Sequence, residues 1–269
     1  MRGGMRGGGR SGRCRSSRGI RPAMLGGMLF CAVAAPGPSA AEAPLIAVDV
    51  GHSSARAGAV SARGRSEFAF NRDLAVAVGQ ALQDRGFRAR MIGVGGDVNE
   101  LPARTASAAD AGADFFLSIH HDSVQEQYLE GWTVEGRAQR RSNRFSGFSL
   151  FVSRKNPQPA ESLVCARQIG EALRAAGQSP SLHHAEPIHG ENRPLADAAN
   201  GVYFFDDLIV LKTARTAAVL VEAGIIVNSD DERSLSEPAL QHRIAGALAD
   251  GLQRCLAWPT PQEDTRKQR

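Results

Sequence analysis

The chain has 269 residues and a formal net charge of +4, from 32 Lys and Arg against 28 Asp and Glu. Seven of the Arg residues lie within residues 1–41, which hold no acidic residue, so the rest of the chain is slightly acidic. This distribution argues against a nucleic-acid partner. The remaining residues are numerous enough to bury the core of one sizeable α/β domain.

Residues 1–41 are typical of a signal peptide or N-terminal leader. A basic segment precedes an apolar run from Met24 to Ala35, and small residues follow, with cleavage expected after Ala41. The apolar run is shorter than the roughly 20 residues that comfortably span a bilayer. We therefore expect an exported protein of the periplasm or cell envelope. Cleavage of the leader, its retention as an anchor, and a start at Met24 all stay open.

The predicted fold class is α/β, with a single domain at residues 42–258 and a flexible tail at 259–269. Near-continuous apolar runs predict buried strands of a mixed, mostly parallel twisted sheet, and apolar residues at helical spacing predict helices on both of its faces. In chain order we expect a strand at 45–50, a helix at 67–85, a strand at 87–92, a helix at 101–111, strands at 114–119 and 147–153, a helix at 159–176, an apolar run at 202–211, a strand at 217–222 and a helix at 238–256.

Two long segments between these elements lack a regular period. Residues 53–66 form a loop rich in Gly, Ser and Arg, and residues 123–146 predict a long polar surface loop. Cys165 and Cys255 fall on predicted helices. In an exported protein they either form a disulfide or stay as buried thiols, and the sequence leaves both open.

A third segment, residues 177–200, is rich in histidine and poor in apolar residues. It contains His183, His184 and His189. Their spacing matches no standard pair of ligands on a helix face. We therefore favour flexible loop histidines over a second metal site.

Three predicted strands end on a potential metal ligand or base. The strand at 45–50 leads to His52, the strand at 114–119 to His120, and the strand at 217–222 to Glu222. Open α/β sheets bind ligands beyond the carboxyl ends of their strands, so these side chains should converge on one crevice. His121 follows His120, and because side chains alternate along a strand, only one of the two can face that crevice.

The converging residues are suited to zinc chemistry. Each alone has an ordinary explanation, such as a hydrogen-bonded loop histidine or a carboxylate at a helix N-terminus. Zinc in hydrolytic sites takes three nitrogen or oxygen ligands from the protein and keeps a position for water, which His52, Glu67 and His120 can provide. Glu222 would then accept a proton, and Asp49 would accept the free ring N–H of a ligating histidine.

These residues occur within motifs that resemble those of the zinc-dependent N-acetylmuramoyl-L-alanine amidases. The resemblance covers about residues 45–256 and rests on Val48-Asp49-Val50-Gly51-His52, Gly58-Ala59, Glu67 with Asn71 and Leu74-Ala75, Arg104, Ser118-Ile119-His120, Leu150-Phe151-Val152, and Val219-Leu220-Val221-Glu222-Ala223-Gly224 with Asn228. It implies that His52, Glu67 and His120 bind zinc and that Glu222 is the catalytic carboxylate. It also implies cleavage of the amide between N-acetylmuramic acid and L-alanine in peptidoglycan.

The sequence departs from the family pattern at three places. Ser53-Ser54 replace the usual Gly-Gly after the first histidine, Asp122 replaces an Asn two residues after the second, and Gly224-Ile225 replace Gly-Phe. None of these changes removes a ligand or the base. We expect the changes at Ser53-Ser54 and Asp122 to affect substrate preference and rate.

Two alternative functions remain open. One is a zinc amidase acting on soluble muropeptides, and the other is a non-catalytic cell-wall-binding domain of the same fold. The presence of all four chemical residues argues against the second. The expected partner is peptidoglycan or muropeptides, a monomer is expected, and the need for an activator is open.

Overall fold

A computed structural model describes residues 42–259. The predicted leader at 1–41 and residues 260–269 of the predicted tail lie outside the described residues. Within residues 42–259, no helix combines the length and the apolar composition that crossing a membrane requires.

The strands and helices of the described chain agree with most of the predicted elements. In chain order they are β1 (Leu45–Val50), α1 (Glu67–Asp84), β2 (Arg88–Ile92), α2 (Leu101–Asp110), β3 (Phe115–Asp122), β4 (Glu130–Val134), β5 (Arg137–Arg141), β6 (Ser149–Val152), α3 (Pro159–Ala175), β7 (Leu195–Asp197), β8 (Val202–Phe204), α4 (Ile209–Thr213), β9 (Ala217–Ile225), α5 (Ser229–Leu235) and α6 (Pro238–Cys255).

Seven of these strands form one sheet in the order β2-β1-β3-β9-β6-β8-β7. The pairs β1–β2, β1–β3, β3–β9 and β6–β8 are parallel, whereas β6–β9 and β7–β8 are antiparallel. The prediction of a mixed, mostly parallel sheet is therefore confirmed.

Helices cover both faces of the sheet, because its central strands are apolar on both sides. Val48, Leu117 and Val219 belong to the core cluster on the side of α1, α3 and α6. Phe116 and Leu220 belong to the cluster on the side of α2 and α4. Residues of even and odd number along a strand thus enter different cores, and this alternation fixes which polar side chains at the strand ends face the same way.

The segment 123–146, predicted as a long surface loop, contains the hairpin β4–β5. The two strands pair antiparallel across Glu135 and Gly136, both at positive φ, as a two-residue type I′ turn requires. The ring nitrogen of Trp132 donates to the carbonyl of Ala62 over 2.7 Å, which anchors the hairpin. The prediction was wrong because both strands are short, β5 is mostly polar, and the only apolar alternation is that of Trp132 and Val134 in β4.

The C-terminal part of the fold also contains structure beyond the prediction. Strand β9 continues to Ile225, three residues past its predicted end at Glu222. Helix α5 follows at once, with the Asn228 side chain accepting hydrogen bonds from the amides of Asp230 and Asp231 as its N-cap. The apolar run at 202–211 divides into β8 and α4.

A disulfide joins α3 to α6. Cys165 lies within α3, and Cys255 is the last residue of α6. Of the two states that the sequence left open, the structure shows the bonded one.

Removing this disulfide should destabilise the fold. Cys165→Ala/Cys255→Ala should lower the free energy of unfolding by roughly 2–5 kcal/mol, because a long loop is no longer closed in the unfolded chain. Denaturant unfolding without reductant measures the change. Reductant should lower the stability of the unsubstituted protein and leave the variant unaltered. Equal unfolding midpoints of the unsubstituted protein with and without reductant would contradict the prediction.

Candidate functional site

The carboxyl ends of β1, β3 and β9 meet at one cavity. Strands β3 and β9 are adjacent and parallel, with His120 in register with Glu222. His52 follows β1 and lines the same cavity of about 380 Å³ with both residues. The predicted convergence of His52, His120 and Glu222 is therefore present in the structure.

Glu67 lies between the two histidines. Its Oε2 is 2.9 Å from His52 Nε2, and its Oε1 is 3.0 Å from His120 Nδ1. The loop at 53–66 folds back so that Glu67 begins α1, and the amide of Ala59 donates to Glu67 Oε2 over 3.0 Å. Burial by itself would raise the pKa of Glu67, but the contacts with His120 and His52 lower it below its ordinary value.

This triad has the donor set of a zinc site. One imidazole nitrogen of each histidine and the Glu67 carboxylate lie within 4.8 Å of one another. Two neutral imidazoles and one carboxylate are a common ligand set for zinc in hydrolytic sites. His52, Glu67 and His120 therefore fit a metal ion with a coordination position left for water or substrate.

Arg104 holds the backbone that carries His52. The Arg104 side chain is only 2% exposed, and its Nη1 donates to the Asp49 carboxylate over 2.7 Å and to the carbonyl of Val50 over 2.5 Å. Its Nη2 donates to the carbonyls of His52 and Val98. His52 itself has φ +67°, a conformation that costs free energy outside glycine and that these contacts stabilise.

The predicted role of Asp49 is wrong. Asp49 was expected to accept the free ring N–H of a ligating histidine. Instead its Oδ1 accepts from Arg104 and its Oδ2 accepts from the Ser118 hydroxyl over 2.7 Å. The buried guanidinium is a stronger partner for the carboxylate than an imidazole would be.

Asn71 supports the triad from the opposite side. Its Nδ2 donates to Glu67 Oε1 over 3.1 Å and to the carbonyl of Gly51 over 3.2 Å. Its Oδ1 lies 2.8 Å from Nδ1 of the buried His121. Burial lowers the pKa of His121 to about 3, so this ring stays neutral. His121 thus supports Asn71, while its neighbour His120 faces the cavity.

The carboxyl group of Glu222 lines the cavity and lacks a hydrogen-bond partner within residues 42–259 on one of its oxygens. Its Oε2 is buried and has no hydrogen-bond partner among the described residues. Burial, followed by the nearby carboxylates of Asp122 and Glu67, raises the pKa of Glu222 well above its ordinary value. A group of this kind can hold or release a proton within the cavity.

A second cluster lies at the same cavity, and the sequence did not predict it. His183 and His184 are 3% and 7% exposed, so the expectation of flexible loop histidines was wrong for them, while His189 is exposed. His184 Nε2 lies 2.8 Å from Asp122 Oδ2, and His184 Nδ1 lies 2.8 Å from Glu191 Oε2. Burial opposes a charge on His184, but Asp122 and Glu191 raise its pKa to about 9.

Comparison with known proteins identifies a matching family. Residues 46–254 match the family model described as N-acetylmuramoyl-L-alanine amidase. The protein named N-acetylmuramoyl-L-alanine amidase AmiA is 27% identical over 244 residues in Salmonella typhimurium, and its Escherichia coli counterpart is 26% identical over the same length. Both alignments cover 84% of this chain and 80% of the relative.

Solved structures share the fold. The N-acetylmuramyl-L-alanine amidase of Mycobacterium smegmatis aligns with a TM-score of 0.64 and 20% identity, over 82% of this chain and 100% of that chain. The catalytic domain of CwlV, an N-acetylmuramoyl-L-alanine amidase from Bacillus (Paenibacillus) polymyxa, aligns with a TM-score of 0.61 and 21% identity, over 80% of this chain and 99% of that chain.

Gly51 should tolerate no side chain. A Cβ at this position would lie 2.4 Å from Nε2 of His120, so Gly51→Ala should displace the ring and weaken any metal binding at the triad by about tenfold or more. Gly131→Ala is the matched control, because a Cβ there meets no described atom within 4 Å. Zinc titration of the metal-free proteins measures both affinities. An unchanged affinity in Gly51→Ala would contradict the prediction.

Arg104→Met should destabilise the protein by roughly 3–5 kcal/mol, because it leaves the carboxylate of Asp49 buried without its cation. Adding Asp49→Asn should recover part of this loss. The exposed Arg90→Met is the control and should change stability by about 0.5 kcal/mol or less. Denaturant unfolding measures all four proteins, and equal stability of Arg104→Met and Arg90→Met would exclude the proposed role of the guanidinium.

Proposed function

Because the chain belongs to the N-acetylmuramoyl-L-alanine amidase family, we propose that it hydrolyses the amide bond between N-acetylmuramic acid and L-alanine in peptidoglycan. One observation carries the proposal beyond family membership. His52, His120 and the unpaired carboxylate of Glu222 line one cavity, and Glu67 contacts both histidines. Hydrolysis of an unactivated amide needs both an electrophilic centre and a proton carrier, and this cavity contains candidates for both.

In this proposal His52, Glu67 and His120 bind a zinc ion. When bound, zinc supplies Lewis-acid activation of the scissile carbonyl and of water. The ionised Glu67 would balance part of the charge of such an ion, and its contacts with both rings place the three donors close together before the ion binds. Asn71 and Arg104 act from outside the ligand set by holding Glu67 and the backbone at His52.

Glu222 is the proposed general base and acid. Water must lose a proton as its oxygen adds to the carbonyl carbon, and the amide nitrogen must gain one as the C–N bond breaks. Glu222 can take the first proton and deliver it to the leaving amine of L-alanine. Two observations support this role: Oε2 has no hydrogen-bond partner among the described residues and so is available to a proton, and the register with His120 places Glu222 beside the triad.

We also propose that the protein is exported and acts in the periplasm or cell envelope. The composition of residues 1–41 supports export. The disulfide between Cys165 and Cys255 gives independent support, since such bonds form and persist in oxidising compartments.

Glu222→Gln should keep its metal and lose amidase activity by roughly 10²–10⁴-fold, because the amide cannot carry the proton. The measurement is the release of stem peptides from purified sacculi, with bound zinc determined on the same preparations. Glu171→Gln, at an exposed position of α3, is the matched control and should keep full activity.

Two further observations complete this test. Chelation should abolish activity, and added zinc should restore it in the unsubstituted protein and in Glu171→Gln but not in Glu222→Gln. Mass spectrometry of the products should show free L-alanine at the N-terminus of the released peptides. Near-normal activity of Glu222→Gln would contradict the role of this residue. Products from soluble muropeptides alone would favour the alternative substrate, and binding to sacculi without products would favour a non-catalytic domain.

A further inference from the structure

We propose that Asp122, His183 and His184 form a second binding site for a divalent transition metal, on the wall of the same cavity. The site is separate from the triad of His52, Glu67 and His120, and its residues lie on β3 and in the segment 177–200. The proposal rests on donor geometry and does not depend on the proposed amidase activity.

Three donor atoms converge in this cluster. Asp122 Oδ2 lies 2.8 Å from His184 Nε2 and 3.3 Å from His183 Nε2. One ligand atom from each residue lies within 4.8 Å of the other two, as is also true of the triad. Two imidazoles and one carboxylate suit zinc and its first-row neighbours, and they leave coordination positions open.

The other ring nitrogen of each histidine already has a partner. His183 Nδ1 lies 2.9 Å from the Ser181 hydroxyl, and His184 Nδ1 lies 2.8 Å from Glu191 Oε2. Glu191 in turn accepts from Gln125 over 2.8 Å. Metal-binding histidines almost always use their second nitrogen in this way, which orients the ring and directs the lone pair of Nε2 at the metal.

Aromatic side chains restrict the two rings further. Phe145 stacks on His183 with ring centroids 5.2 Å apart, and the edge of Phe151 meets His184 at 4.9 Å. Neither histidine can therefore turn its Nε2 away from Asp122 without displacing a packed ring. Rigid donors of this kind are what a metal site requires.

One atom distinguishes a metal site from a hydrogen-bonded cluster. A proton on His184 would bridge its Nε2 to Asp122, but His183 Nε2 would gain nothing from that proton. This nitrogen is buried and has no hydrogen-bond partner among the described residues. A buried polar atom without a partner is costly, and a metal ion between the three donors would satisfy it.

The site would take an oxygen ligand from the cavity. Asp122 and His184 line the cavity together with Glu222 and His120. Three protein ligands leave at least one position for water, or for a carboxylate or carbonyl oxygen of a substrate. A cation here would also offset the negative charge of Asp122, whereas Glu191 already pairs with Arg193 over 2.6 Å.

Counting bound metal tests the proposal. The full chain is stripped with a chelator, dialysed against Zn²⁺ and analysed by elemental mass spectrometry. The unsubstituted protein should hold two zinc equivalents, His183→Gln and His52→Ala one each, and the double variant none. His189→Ala, at an exposed histidine of the same segment, is the matched control and should hold two. Near-ultraviolet circular dichroism of each variant establishes that it is folded.

The outcomes separate the two sites. One equivalent in the unsubstituted protein, lost in His52→Ala, would overturn the second site and leave the first intact. One equivalent lost only in His183→Gln would support the second site and overturn the first. Two equivalents retained in His183→Gln would also overturn the proposal, since the second ion would then lie elsewhere. If His183→Gln fails to fold, Asp122→Asn removes a different donor of the same site: one equivalent would support the proposal, and two would overturn it.

Discussion

The site depends on one buried charge. A guanidinium in the protein interior is tolerated only where anions and carbonyls compensate it, and Arg104 finds Asp49 and the carbonyls around the turn after β1. The same hydrogen bonds also stabilise the turn, because Arg104 donates to the carbonyls of Val50 and His52 where His52 adopts its left-handed conformation. The position of His52 at the cavity thus depends on the charged side chain of Arg104, which belongs to α2. Asn71, on α1, likewise holds a residue of the triad, because its side chain donates a hydrogen bond to Glu67.

Much of the fold and of the candidate site could be predicted, because both follow from the order of apolar runs. Strands that are apolar on both faces belong in the centre of a parallel sheet, and their carboxyl ends meet at one edge. That rule alone brings His52, His120 and Glu222 together. The structure adds register, which places His120 beside Glu222, and alternation, which sends His121 to the opposite core. Alternation can be read from a single strand, but the register and the choice of His120 over His121 depend on which elements become neighbours.

The remaining features depend on contacts between distant residues that leave no local period. The hairpin β4–β5 is mostly polar and is anchored by Trp132 to a loop 70 residues earlier. His183 and His184 are buried against Asp122, which lies 62 residues before His184 in the chain. Asp49 looked like a partner for histidine because the distant Arg104 could not be placed beside it. Asp122 replaces the family's Asn, and the sequence predicted only an effect on substrate preference and rate. Its contacts with His183 and His184 are visible only in the folded chain.

The cross-link between α3 and α6 makes the fold sensitive to where the chain resides. The two helices pack on the same face of the sheet, and the disulfide links the last helix, α6, to α3, which lies 90 residues earlier in the chain at the bonded cysteines. A copy retained in a reducing compartment would lack this constraint and populate its unfolded state more often. Proteases act on that population, so retained copies would be degraded faster than those that reach an oxidising compartment. The need for the disulfide would thereby shorten the lifetime of enzyme molecules that remain in a reducing compartment.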